Sequence, residues 1–182
     1  MKTLLFLTPI LFLAACQSKN SKLYEEYIKA YNTDDSTTIA RILHEDFQYK
    51  FQAARKTDKR DFIKRMLLFE PSYNDTIVVL SQKEYPDSIC AIITWTDDFD
   101  KYVDLPYSPL KQKVIFTDEK IIRIQMDTTV GEKKHMRQQE ENGRQMKEWM
   151  KRKHPQVNLD SLWGQDYIKY LREYDHEKKA AE

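Results

Sequence analysis

Glycine is scarce in this chain: its 182 residues hold three, Gly131, Gly143 and Gly164. They stand too far apart for a phosphate-binding loop, a dinucleotide fingerprint or a nucleophile elbow, each of which needs neighbouring glycines so that backbone can approach phosphate or take a strained turn. Cysteine is scarcer still, with Cys16 and Cys90 alone. There is no CxxC pair and no HExxH, and His135, His154 and His176 are scattered over a polar tail without ligand spacing. Neither a metal nor another cofactor is therefore expected. An excess of one charge is also missing: 30 basic residues face 29 acidic ones. A nucleic-acid or anionic-membrane partner would ordinarily leave a basic surplus, so the balance argues against both.

What is present begins at the amino terminus. Lys2 precedes an apolar run from Leu4 to Ala15 that Pro9 interrupts, and the run is shorter than the roughly 20 residues a spanning helix needs. It closes on Leu13-Ala14-Ala15-Cys16. A positive start, an apolar run and small residues before a cysteine make a secretory signal, and the cysteine at its end resembles the lipobox of bacterial lipoproteins. The resemblance covers residues 1–16. It implies that residues 1–15 are removed as a signal peptide, that the Cys16 thiol carries diacylglycerol, and that the new amino terminus is acylated. Several chains, palmitate among them, would then hold the protein to the lipid bilayer, where one alone binds marginally. A plain secretory signal with an incidental cysteine is the alternative. Residues 16–21 read as a short lipidated tether, and the lack of an acidic residue beside Cys16 implies outer-membrane sorting, facing the periplasm.

The mature domain opens with helical spacing. Leu23, Tyr24, Tyr27, Ile28 and Tyr31 share one face, and Asn32-Thr33-Asp34-Asp35-Ser36 breaks that helix and caps a short one carrying Ile39, Ile42 and Leu43. The second helix is expected to run out at His44-Glu45-Asp46, after which Phe47, Tyr49 and Phe51 alternate as a strand. Asp58 or Asp61 starts a third helix through Phe62, Ile63, Met66, Leu67 and Phe69, stopped by Pro71. The period then becomes two, with strands over 76–81, 89–96, 110–117 and 121–127 and turns at Pro86-Asp87-Ser88 and Thr117-Asp118-Glu119-Lys120. Cys90, inside Ser88-Ile89-Cys90-Ala91-Ile92-Ile93-Thr94-Trp95, reads as a buried small apolar residue. Short turns predict an antiparallel sheet and three preceding helices cover one of its faces, so the fold class is α+β with a curved sheet wrapping helices.

The paired helical start, the His-Glu-Asp-Phe-Gln-Tyr passage from 44 to 49, the helix Asp61-Phe62-Ile63-Lys64-Arg65-Met66-Leu67 and the hairpin Phe116-Thr117-Asp118-Glu119-Lys120-Ile121 together resemble the nuclear transport factor two-like superfamily. The resemblance covers residues 22–130. It implies a cone in which a curved sheet wraps a long helix around an apolar pocket. Members include isomerases, dehydratases, cyclases and non-catalytic binding domains, so the fold selects none of these by itself. Against the ketosteroid isomerases of that superfamily, Tyr27 matches the tyrosine that donates to the oxyanion. The place of their general base falls on Phe51, and that of their protonated second acid near Lys111, Gln112 and Lys113. Proton transfer between carbons then has neither base nor donor.

Catalytic candidates reduce to Tyr27, His44 and Asp97. Asp97 follows Ile93 and Trp95 on one strand face and would serve there as acid, base or ligand. The expected reading is that Asp97, Asp98, Asp100 and Asp104 are solvated charges beyond the strand end. His44 with Asp46 reads as an acid–base pair at the pocket rim, or as a helix-end histidine held by the dipole. The expected pocket wall is Tyr24, Tyr27, Tyr31, Phe47, Tyr49, Phe51, Ile93 and Trp95, apolar surfaces with hydroxyl tips suited to a small amphipathic ligand. This favours a non-catalytic binding domain on a lipoprotein. One alternative is an isomerase- or dehydratase-type enzyme using Asp97 or His44 with Tyr27, and another is an envelope scaffold acting through its carboxy-terminal helices.

Residues 131–182 form a helical extension. Met136, Gly143, Met146, Trp149 and Met150 lie on one side of a helix ended by Pro155. Asn158 or Asp160 caps another, in which Leu159, Trp163, Tyr167, Leu171 and Tyr174 recur at helical spacing. Their apolar stripes pack back onto the domain or onto each other; a homodimer contact or an envelope-protein partner is the alternative.

Overall fold

The computed structural model describes residues 18–51, 56–68, 74–103, 109–129, 132–162 and 164–181. Cys16 with the signal before it, Phe69, Asp104 and Trp163 lie outside the described residues. Helix α1 (Lys19–Asn32) starts on Ser18, whose hydroxyl accepts the Ser21 amide at 3.0 Å. It stops where Asp34 takes a left-handed φ of 53°. Asp35 accepts the Thr38 amide to start α2 (Ser36–Ile42). There follow β1 (Leu43–Phe51), β2 (Thr57–Asp58), α3 (Lys59–Leu68), β3 (Thr76–Tyr85), β4 (Ser88–Thr96), α4 (Asp98–Tyr102), β5 (Pro109–Thr117), β6 (Lys120–Thr128), α5 (Glu132–Lys153), a 3-10 turn (Leu159–Ser161) and α6 (Gly164–Ala181). Among the described residues no helix is long and apolar enough to cross a membrane.

The strands form one curved, unclosed sheet in the order β2-β1-β6-β5-β4-β3. Strands β3 to β6 make the antiparallel meander that the short turns predict. Strand β1 departs from it and pairs parallel to β6, because no turn joins these two and their relative direction is left to the long connection between them. The second helix also ends earlier than expected. It stops at Ile42, and His44, Glu45 and Asp46 fall in β1, where the register against β6 slips between Leu43 and Gln48. A bulge absorbs these polar residues instead of a helix end.

Period-two alternation turns Ile89, Ala91, Ile93 and Trp95 of β4 and Leu110, Gln112, Val114 and Phe116 of β5 toward α1. Cys90 must then face outward, and it is half-buried rather than buried. Helix α1 is fastened to the edge strand through Asn32, whose side chain accepts the Ile77 amide and donates to the Ile77 carbonyl, both at 2.8 Å. It completes the strand's hydrogen bonding as a neighbouring strand would.

A second core lies apart from the first. Met146, Trp149 and Met150 of α5 and Ile168 and Leu171 of α6 close over Val103, with Phe99 and Tyr102 of α4 against them. Phe99 stacks on Tyr167 at 6.3 Å between ring centroids. Gly143 of α5 lies beside the Phe99 ring, where even a Cβ would make only an ordinary contact at 3.7 Å. The described apolar residues of the extension, Met146, Trp149, Met150, Tyr167, Leu171 and Tyr174, are thus covered by one another and by α4; the Met136 side chain lies outside the described residues.

Candidate functional site

Tyr24, Tyr27 and Tyr31 sit at three- and four-residue intervals on α1, so one helix face carries all three rings. Successive centroids lie 6.4 and 6.1 Å apart. Tyr24 is fully buried, and its hydroxyl donates to Gln112 Oε1 at 2.7 Å. Burial holds that phenol well above its ordinary range, so it stays a donor. With its oxygen occupied, Gln112 aims its amide nitrogen at the Met126 sulfur, 3.4 Å away. Sulfur accepts weakly, so the buried Gln112 amide is only loosely committed.

The space it faces is a cavity between α1, α3 and the sheet, lined by Tyr27, Tyr31, Tyr49 and Trp95 together with Gln112 and Met126. Thr57, Phe62 and Arg65 close its α3 side. It encloses about 20 Å³, room for one water-sized group. Tyr49 lies over Phe62 with centroids 5.2 Å apart, and Arg65, exposed, brings the cation at its edge. No carboxylate is among these lining residues.

Of the expected pocket wall, Tyr27, Tyr31, Tyr49 and Trp95 line this cavity. Tyr24, Phe47 and Ile93 are buried in the core behind it, and Phe51 packs against that core half-buried. Gln112, Met126, Phe62, Arg65 and Thr57 were not anticipated as lining. A signal for the first existed: Gln112 interrupts the inward series Leu110, Val114, Phe116, where a polar residue must have a partner or a task. Arg65 follows Phe62 by one helical turn, so it shares that face.

The catalytic candidates are dispersed. Tyr27 is in the cavity wall. His44 is not at the rim: its neighbour Leu43 pairs with Ile121 beside the β5–β6 turn, whereas the cavity residue Met126 pairs with Phe51 at the other end of β1. The His44 Nδ1 accepts the Asp46 amide at 3.0 Å, an arrangement local to the bulge. Asp97 is the N-cap of α4, accepting the Asp100 amide at 2.8 Å. Asp98 and Asp100 are buried rather than solvated, because the chain turns into α4 and tucks it beneath α6 instead of ending in a loop. Asp98 accepts from Asn74 at 2.6 Å. One oxygen of Asp100 has no partner among the described residues, and burial, with the Asp97 charge adding, raises its carboxyl to about 7. Among the described residues no group of three His, Cys, Asp or Glu is placed to hold a metal ion.

A wider groove of about 510 Å³ lies at the opposite end, between the start of α1 and the β5–β6 turn. Of its charged lining residues, Lys19 pairs with Glu119 at 2.6 Å and Glu26 with Arg41.

Comparison with solved structures follows this geometry. An NTF2-like protein of unknown function from Cytophaga hutchinsonii superposes with a TM-score of 0.51 at 15% identity, covering 63% of this chain and 94% of that one. The fold is the nuclear transport factor two-like cone. A second such cone, an LEH-like epoxide hydrolase from M. tuberculosis, matches with a TM-score of 0.53 at 11% identity over 65% of this chain and 90% of its own. No protein-family model and no curated protein sequence matches the chain. At these identities the likeness is one of cone architecture, and a cone hosts both enzymes and binding domains.

Proposed function

We propose that this protein is a lipoprotein, acylated at Cys16 and held to the outer membrane facing the periplasm, whose cone binds a small amphipathic ligand without transforming it. The observation that carries the binding reading is the pairing of Tyr24 with Gln112. It commits a buried phenol and an amide oxygen to each other and leaves the Gln112 amide nitrogen, held only by the Met126 sulfur, beside an aromatic cavity with no acid or base in its described wall. Such a site suits an acceptor group, a carbonyl or a carboxylate, seated in the enclosed space. The ligand's apolar body then lies at the mouth beside Trp95, with Arg65 at hand for negative charge. The enzymatic reading is weaker because Asp97 and His44 stand away from Tyr27. The scaffold reading is weaker because the described apolar side chains of α5 and α6 already cover one another and α4.

Native mass spectrometry of the protein purified under mild conditions tests this. A copurifying small molecule that is lost in Gln112→Leu while the fold is retained supports the reading. Turnover of that molecule by the wild-type protein, or retention by the variant, overturns it.

A further inference from the structure

Net charge conceals where the charges sit. The outward face of the sheet carries Lys50 on β1, Lys83 on β3, Lys111 and Lys113 on β5 and Arg123 on β6. Register sets Lys83 beside Cys90, Cys90 beside Lys113, Lys113 beside Gln125 and Gln125 beside Lys50, so three lysines share one cross-strand row. Lys111 and Arg123 stand in the rows on either side. None of the five makes an ion pair among the described residues, whereas Lys19, Lys59, Arg144 and Lys153 elsewhere each hold a glutamate. Two acids lie in these rows, Asp127 opposite Lys111 and Asp58 beyond Arg123, each bonded to a neutral amide, Gln125 at 3.0 Å and the Asp61 backbone at 2.9 Å, so the five cations keep a positive excess.

The edge strand β3 also carries the exposed large apolar side chains, Val78 and Tyr85 on this face by register, at 49% and 41% exposure, and Leu80, at 55%, at the slip between Val79 and Ser81. The Lys83 ammonium lies 5.3 Å from the Tyr85 ring centroid. Between them Glu84 points the other way and accepts both serine hydroxyls at the start of α1, those of Ser18 and Ser21. Cys16 is two residues before Ser18, which extended chain spans in about 7 Å. Acylation at Cys16 would thus tether the chain within two residues of Ser18, which Glu84 holds to the edge strand β3.

We propose that the outward sheet face lies on an anionic phospholipid surface, its five cations against headgroup phosphates and Val78, Leu80 and Tyr85 at the interface. Cations gain near such a surface and tyrosine favours the headgroup level. The balanced composition argued against this partner, but association depends on the local face, where five cations outnumber the two acids in the same rows. The inference rests on the acylation of Cys16 for its location, not for its chemistry.

Residues 18–182 hold every residue of both cores and lack Cys16, so that segment tests the face without the anchor. Its cosedimentation is measured with phosphatidylcholine vesicles, with and without about one part in three of phosphatidylglycerol. Binding is expected to the anionic vesicles alone, and it falls as salt screens the face. K83E/K111E/K113E should bind on the order of a hundredfold more weakly, while charge reversal at Lys147, Lys151 and Arg152 of α5 leaves binding unchanged. An environment-sensitive fluorophore on Cys90, the sole thiol in the segment, should shift to the blue on anionic vesicles only. If the reversals lower the melting temperature, the glutamine versions of the same three lysines carry the comparison. Equal binding to both vesicle types, or a folded triple variant that binds as its parent does, overturns the proposal. So does a dimer in sedimentation that the triple variant disperses without any vesicle binding, which would give the face to a second copy. Absence of palmitate labelling in the full chain would sink the Cys16 reading alone.

Discussion

Tyr24 and Gln112, 88 positions apart in sequence, hold each other at 2.7 Å in the centre of the cone. Each is a polar group in an apolar layer, and each makes the other tolerable there. Tyr24→Phe removes the donor and leaves the Gln112 oxygen buried without a partner. The expected cost is about 1–3 kcal/mol, read as a lower urea midpoint with unchanged slope. An unchanged midpoint would mean that the amide turns over and finds its partner elsewhere.

Asp100 should make stability depend on pH. Its carboxyl titrates near 7 in the folded protein against a usual value of 3.8, so between those values the folded state binds more protons than the unfolded one. Stability from this group is therefore complete below about pH 4 and declines as pH rises through 7. Asp100→Asn should gain roughly 1–2 kcal/mol at pH 8 and nothing at pH 4. Chemical denaturation at the two values decides, and an equal effect at both would show that the charge is not what matters.

A chain ending at Thr129 loses α5 and α6. The sequence pattern predicts insolubility if those helices cover the main domain, yet they close over Phe99, Tyr102 and Val103 of a separate core. The shortened chain should still melt cooperatively, at a lower temperature, with the loss concentrated at α4. Exposure of a few large side chains at about 1.5–3 kcal/mol each sets the scale. Hydrogen exchange should speed in α4 and stay slow in β4 and β5; uniform fast exchange would show that the two cores fold as one.

Acylation is tested at Cys16. In Cys16→Ser, incorporation of labelled palmitate should vanish and the protein should leave the membrane fraction. A wild type that takes up no label while the variant stays with membranes would remove the lipoprotein reading.

Local chemistry made much of this architecture legible. The three-tyrosine face of α1, the cap at Asp35 and the two-residue period of β4, β5 and β6 depend on residues within a turn or a strand of one another, and the order of the elements other than β2 and α4 followed from them, whereas Ser18, read as part of the tether, proves to cap α1. The same alternation that buries Ile89, Ala91 and Ile93 already required Cys90 to face outward, although an unbroken apolar run hid it. What only tertiary structure decided was which distant positions meet. No spacing predicts that β1 pairs parallel to β6, that Tyr24 finds Gln112, that Asp97 caps α4 rather than facing Tyr27, or that five cations from four strands gather on one face. Local periodicity tells a side chain which way to point, whereas register and strand order, settled by burial of the whole inner face, determine what it points at.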